Sequence, residues 1–399
     1  MVEMSLPFSQ DERDLAAGGI LTIDLAALRH NYSAIATRIA PTRTAAVVKA
    51  DAYGLGASRV APAFYEAGCR DFFVAHLGEA VALKPFLKPD ATLYVLNGLQ
   101  PGTEAACARE GILPVLNSLE QVENWAALAT RLGKKLPALL QFDTGMSRLG
   151  LSAKEFDRLL ENVTLLSRID IKFAISHLAN GDEPGNAVNA RQLAKMTALL
   201  ARLPKLPAAL ANSGGTFLGK TYYFDLARPG IALYGIDPER QHDFSDKVAH
   251  ENKKPKHSIL PVLTLSARVI QVRDVDKGAT VGYGGTYVAN GPMRIATIAV
   301  GYADGLFRSL SNKGAAFFGD TRLPIIGRVS MDSITPDVTS LPEGTLKLGS
   351  LVELIGPHQR LEDVARDCDT IPYEILTALG NRYARVYVYV NGGGTSTTA

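Results

Sequence analysis

The run Ala45-Ala46-Val47-Val48-Lys49-Ala50-Asp51-Ala52-Tyr53-Gly54-Leu55-Gly56 is the most informative stretch of this chain. Its apolar start, with two β-branched valines, has the composition and length of a buried strand. Lys49 ends that strand and a Tyr/Gly-rich loop follows at once, which sets an ammonium at the rim of a core. Lysines are as a rule solvated. One held at an apolar rim gives up its proton more readily and becomes a nucleophile.

Outward from that run, apolar strand-like segments alternate with longer amphipathic ones. The strand candidates are 44–50, 71–77, 92–97, 113–117, 138–144, 170–178, 208–213 and 223–228, with helix-length stretches such as 119–132 and 187–203 between them. Eight such alternations predict a (β/α)8 barrel, whose active site lies at the C-terminal ends of its strands. Lys49, Asp143, His177, Ser213 and Arg228 all fall at or just past predicted strand ends. After Pro261 the pattern changes to β-rich runs at 263–275, 294–300, 323–329 and 351–355, punctuated by Gly, Pro and Asp, with few helix-period stretches. This predicts a second, mostly β domain. The expected organisation is an N-terminal extension at 1–19, a barrel at 20–242, a charged linker at 243–258, a β domain at 259–391 and a disordered tail at 392–399. The strand signal at 20–25 precedes the first barrel helix, 26–39, and is a candidate to join the β domain.

Composition narrows the class. A chain of 399 residues exceeds one ordinary core, and 47% hydrophobic with 21% charged residues suits a globular protein. A net charge of +2 without a basic run speaks against nucleic acid as a partner. No apolar segment approaches the roughly 20 residues that span a bilayer, so no membrane role is expected. The first 19 residues lack the pattern of a secretory signal. Cys69, Cys107 and Cys368 are odd in number and widely spaced, which suggests free thiols in a reducing, cytoplasmic setting and no cysteine-based metal site.

Three segments together carry a family likeness: AVVKADAYGLG (45–56 less its first alanine), DTGMSRLG (143–150) and RPGIALYG (228–235). They resemble the corresponding motifs of alanine racemases, enzymes of fold type III that use pyridoxal 5'-phosphate (PLP), and the resemblance runs from Ile20 to about Val390. It implies interconversion of L- and D-alanine by a two-base mechanism, D-alanine supply for peptidoglycan, and a homodimer with sites shared between subunits. Lys49 would carry PLP as a Schiff base and act as one base. Tyr53, Ser213 (in ANSGG), Gly230, Ile231 and Tyr373 (in IPYE) would hold the phosphate. Arg228 would face the pyridine nitrogen. A guanidinium keeps its proton, so that nitrogen would stay unprotonated and the cofactor a shallower electron sink.

The same resemblance assigns the rest of the site. Tyr283, in GYGGTY, would be the base on the opposite face, reaching the site from the other subunit. A phenol, with a pKa near 10, needs help for that task, and His177 would bridge Arg228 and Tyr283. Arg148 and the Met331 amide would clamp the substrate carboxylate, since an arginine fork matches a carboxylate. Tyr302, in GYADG, would line the entrance. One departure stands out. Many members carry a carbamylated lysine where this chain has Gln141, which cannot be modified that way. A substitute partner for Arg148 is therefore expected, either Asp143 or a solvent anion. The rivals are a broad-specificity racemase for serine, lysine or other side chains, a barrel-type PLP decarboxylase, and a non-catalytic PLP-binding protein. Arg228 argues against the decarboxylase, whose pyridine partner is acidic. The β domain with Tyr283 argues against the last, which is barrel-only.

Overall fold

The computed structural model describes residues 10–238, 259–390 and 396–398. The chain divides into two compact units, Ala27–Pro261, and Met1–Ala26 together with Val262–Ala399. The expected linker at 243–258 lies outside the described residues.

The first unit is a parallel barrel. Ala46–Val47, Asp71–Val74, Thr92–Val95, Leu113–Leu116, Leu136–Gln141, Ile169–Ile175 and Ala208–Ala209 pair in chain order, all parallel. Leu226–Ala227 pairs with Arg43–Thr44, which leads through Ala45 into the first of these strands. Backbone bonds close the ring: Asp225 N donates to Ala208 O and Arg228 N to Ala211 O on one side, Ala45 N to Ala227 O on the other. Strands covered on both faces become continuous apolar runs, and Asp71–Val74 and Leu113–Leu116 are buried throughout. The helices lie outside. Leu119–Arg131 starts where Ser118 Oγ accepts from Gln121 N and turns Leu119, Val122, Trp125, Ala126 and Ala129 inward.

All eight predicted barrel strands form, but several end early. The strand expected at 138–144 stops at Gln141, because Asp143 folds back on the amides that follow it. The strand expected at 208–213 shrinks to Ala208–Ala209, because Gly214–Thr216 is a 3-10 turn. Each shortened end frees backbone to wrap a site at the C-terminal mouth.

In the other unit, Gly19–Asp24 pairs antiparallel with Leu263–Val275 and parallel with Ala384–Val390. Its alternation of buried and half-buried residues is that of a strand with one covered face. Met293–Ile298, Ala315–Phe318, Thr321–Pro324 and Leu351–Ile355 complete most of the sheet. Two helices, Leu361–Asp367 and Pro372–Ala378, stand where the sequence suggested few. The second begins with proline at a first-turn position, and in the first Asp363 caps Arg360 N. Within the tail expected to be disordered, Ser396–Thr398 forms a short strand against Ala384–Val390. Within the extension expected at 1–19, Gln10–Ala16 is a helix.

Candidate active site

Lys49 begins a turn of unusual backbone. Ala50, Asp51, Ala52 and Tyr53 have φ of 53°, 54°, 55° and 55°, four left-handed residues in a row with no glycine among them. Each costs roughly 1–2 kcal/mol against the right-handed alternative, so the surroundings must hold the turn. Ala50 N donates to Glu79 Oε1 at 2.6 Å, Ala57 N to Asp51 Oδ1 at 2.7 Å, and Gly54 N to Ala50 O at 2.8 Å. The Tyr53 ring packs on Tyr234 with centroids 4.4 Å apart, and Tyr234 Oη donates to Val47 O. Burial lowers the pKa of Lys49, and the Arg148 charge lowers it further, against an opposing pull from Glu79. The lysine is thus biased toward its nucleophilic, neutral form.

Next to it lies a buried polar network. Arg228 is 4% exposed; its Nη2 donates to Ser176 O at 2.5 Å while its buried Nη1 has no hydrogen-bond partner. Desolvation brings its pKa down to about 10, which leaves it protonated at neutral pH. Ser176 Oγ donates to Phe142 O and meets Thr144 Oγ1 at 2.7 Å. Gln192 ties this layer to the His177 loop, donating to Thr144 Oγ1 and His177 O and accepting from Ala179 N. Burial, then the charges of Arg228, Arg148 and Lys49, lower the His177 pKa to about 3. The imidazole is therefore neutral. Its ring contact is Asn212 Nδ2 at 3.5 Å; among the described residues no hydrogen bond joins it to Arg228.

At a third corner, Ser213 Oγ accepts from Gly230 N at 2.9 Å and Ala232 N at 3.2 Å. The Gly230 amide, expected to face a phosphate, is taken up by Ser213. With its oxygen accepting twice, the Ser213 hydroxyl has its own hydrogen to donate elsewhere. A Cβ on residue 230 would lie 2.2 Å from Tyr53 Oη, so glycine is required there to let that hydroxyl approach. Ile231 opens the 3-10 turn Ile231–Tyr234 beside them.

Of the two partners expected for Arg148, Asp143 is not the one it takes. Asp143 Oδ1 accepts from the amides of Gly145, Met146 and Ser147 at 2.9, 3.0 and 3.0 Å and so shapes the loop, and Arg148 is exposed. Three short backbone donors satisfy that carboxylate without the guanidinium. Gln141 is buried at the end of its strand.

The remaining candidates belong to the β unit. Tyr283, 73% exposed, stands on a turn between Thr280–Val281 and Tyr287–Val288. Tyr302 and Met331 are brought together: Tyr302 N donates to Ser330 O and Ala303 N to Met331 O. A Cβ on Gly301 would lie 2.4 Å from Met331 O, so the two segments of this corner touch through bare backbone. Arg382 braces it with two bonds to Asp304 and one to Asp332, each 2.7 Å. Tyr373 lies in the first turn of Pro372–Ala378.

Comparison with known proteins bears on both units. Residues 23–238 match the family model "Alanine racemase, N-terminal domain", and 262–387 match "Alanine racemase, C-terminal domain". An alanine racemase of Brucella suis is 99% identical over 396 residues, covering 99% of this chain and all of that one. The chain belongs to the alanine racemase family. A catabolic alanine racemase of Agrobacterium fabrum is 53% identical over 96% of both chains. Among solved structures, the alanine racemase of Bartonella henselae with covalently bound pyridoxal phosphate superposes with a TM-score of 0.87 at 47% identity, covering 93% of this chain and 99% of that one.

Within this family member, three groups around the site escaped the sequence reading. Glu79 sits at the third position of the helix Leu77–Leu83 and caps it, a placement that Glu three residues after a cap commonly signals. The cap here is His76, outside the usual Ser/Thr/Asp/Asn set, which hid the signal. Thr144, Ser176 and Gln192 are joined only by the fold, being up to 48 residues apart. Arg382 and Asp304 are 78 apart.

Proposed function

We propose that this chain racemises alanine between two bases, Lys49 on one face of the substrate and Tyr283 on the other. As a member of its family it is an isomerase acting on L- and D-alanine with PLP as cofactor. The observation that carries the assignment of residues is Arg228, a buried guanidinium with one nitrogen unpartnered. A buried orphan donor calls for an acceptor, and an unprotonated pyridine nitrogen is one. The Ser213 hydrogen, left over by an oxygen that accepts twice, fits a phosphate in the same way. The residues present therefore suit PLP, with Lys49 to hold it covalently, Arg228 at the ring nitrogen and Ser213 at the phosphate; Tyr53, Ile231 and Tyr373 are assigned to the phosphate by their place in the family motifs, while the Gly230 amide is taken by Ser213.

When bound, PLP supplies the electron sink that makes the Cα proton removable. Lys49, its proton affinity lowered by burial and Arg148, takes or returns that proton on its face. Tyr283 does the converse on the other. Arg228 keeps its own proton, so the sink stays shallow and the proton returns to Cα. His177, held neutral, adds no competing acid. Arg148 and the Met331 amide bind the substrate carboxylate, and Tyr302 narrows the entrance.

The working unit we infer is a homodimer in which Tyr283 serves the partner's Lys49. The exposure of Tyr283, Met331 (52%) and Tyr302 (43%), all large side chains, supports a covering second copy. We assign the enzyme to the cytoplasm, supported by three free buried cysteines, and to D-alanine supply for peptidoglycan. A substrate panel with added PLP, read by chiral chromatography, tests the reading. Alanine should exceed serine and lysine in kcat/KM; equal turnover of all three would overturn it in favour of a broad-specificity racemase.

A further inference from the structure

The amide that follows the reactive lysine is held by a side chain from the next βα unit. Glu79 Oε1 takes Ala50 N at 2.6 Å, while Oε2 takes Ala75 N at 2.7 Å and His76 N at 2.9 Å. One carboxylate thus joins the end of the strand Asp71–Val74, the start of the helix Leu77–Leu83 and the first left-handed residue after Lys49. The other side-chain anchors of the turn, Asp51 on Ala57 N and the Tyr53–Tyr234 stack, act further along it. Apart from Glu79, the hold on the Lys49 side is the backbone bond from Ala52 N to Val48 O at 2.9 Å, and Glu79 is the one side chain that takes the Ala50 amide itself; losing it lets Ala50 relax toward a right-handed conformation, which would swing the lysine.

We propose that Glu79 is a positioning residue for Lys49, fixing the direction in which the lysine leaves the barrel wall and balancing the Arg148 charge beside it. The proposal rests on the role given to Lys49 above. Its chemistry is specific to a carboxylate. Both oxygens accept, one toward Ala50 and one toward the helix start. A glutamine offers one oxygen and turns an NH2 toward a donor, so it keeps the helix cap or the Ala50 bond but not both. It also removes the negative charge facing Lys49, which the lysine feels as a pull toward its protonated form.

The test compares wild type, Glu79→Gln and Glu79→Ala as full-length chains. In protein freed of PLP, the pH dependence of Lys49 reductive methylation is followed by peptide mass spectrometry. In the PLP-loaded enzyme, kcat and KM for alanine are measured. The expected result is a downward shift of the Lys49 labelling midpoint in both variants, together with a kcat lower by about 100-fold, the order that a misplacement near 1 Å produces. KM should change far less. Should Glu79→Ala fail to fold, Glu79→Gln decides alone. If Glu79→Gln leaves either the labelling midpoint or kcat at the wild-type value, Glu79 is a helix cap and the proposal is overturned. Full activity in Lys49→Ala, by contrast, would overturn the functional reading and not this one.

Discussion

Lys49 is followed by four left-handed residues without a glycine, whereas Tyr283 stands among glycines at 282, 284 and 285 with φ of 73°, 71° and 55°. The first turn is strained and braced from three sides, by Glu79, Asp51 and the Tyr53–Tyr234 stack. The second uses residues for which such angles cost little, and its tyrosine lies open. The two proposed bases are thus prepared differently. Lys49 is oriented and partly desolvated within its own unit, which is what a covalent anchor requires. Tyr283 is presented outward on a turn that costs little to build, and its environment must come from whatever covers it. Its supports lie behind it: Val281, Ile295 and Ile326 form a small core under the turn, and Gly327 packs against Val281 O.

The largest expected effect breaks the lysine side. Lys49→Ala should lose racemase activity by more than about 10⁴-fold, because anchor and base vanish together. Borohydride treatment of the yellow wild-type enzyme should fix the cofactor to Lys49, as peptide mapping would reveal. A variant with wild-type turnover would end the assignment.

Tyr283→Phe attacks the other side. We expect a loss of about 10²–10⁴-fold in both directions with PLP still bound, since that tyrosine has no part in holding the cofactor. Mixing inactive Lys49→Ala and Tyr283→Phe subunits should restore activity, because a mixed dimer contains one site with neither lesion. No recovery after demonstrated subunit exchange would place Tyr283 in its own subunit's site or outside the chemistry.

A smaller effect sharpens the contrast between required and convenient glycines. Gly230→Ala puts a methyl group 2.2 Å from Tyr53 Oη, and Tyr53 cannot yield freely because Tyr234 stacks on it. Overpacking of this kind costs about 1–3 kcal/mol, so PLP affinity should weaken by about 10- to 100-fold. Gly291→Ala, where a Cβ meets nothing within 4 Å, is the matched control. Equal PLP dissociation constants for the two would remove Gly230 from the cradle.

The same contrast explains what the sequence discloses. Barrel strands are legible because burial on both faces makes each a continuous apolar run, as in Phe72-Phe73-Val74 and Pro114-Val115-Leu116. The glycines of the Tyr283 turn advertise their conformation. The left-handed run Ala50-Asp51-Ala52-Tyr53 does not, since neither Ala nor Tyr prefers it and its stability comes from partners elsewhere in the chain. Helix Leu361–Asp367 was hidden because a single short amphipathic stretch among β-rich runs gives a weak period. Of the two substitutes expected for the absent carbamylated lysine, Asp143 or a solvent anion, the Asp143 option gives way because three backbone amides take that carboxylate's Oδ1.

The smallest effect concerns acid stability and again separates the two sides. His177 is largely shielded from water and lies near Arg228, Arg148 and Lys49; desolvation first, then the charge on these groups, lowers its pKa to about 3. An unfolded histidine titrates near 6.5. A histidine whose folded pKa is depressed binds its proton more readily when unfolded. Its neutral form therefore favours the fold above about pH 6.5, and that contribution is lost as pH falls from 6.5 toward 3. Wild type should thus lose stability between pH 7 and pH 5 through this group. His177→Gln keeps a polar side chain toward Asn212 but has no proton to bind, so its unfolding midpoint in urea should fall less over that interval. Tyr283 is open, so Tyr283→Phe should track wild type at both pH values. Parallel shifts for His177→Gln and wild type would show that the imidazole is not held neutral by desolvation and the charges beside it, and with it would go the claim that the lysine side of the site is electrostatically preset.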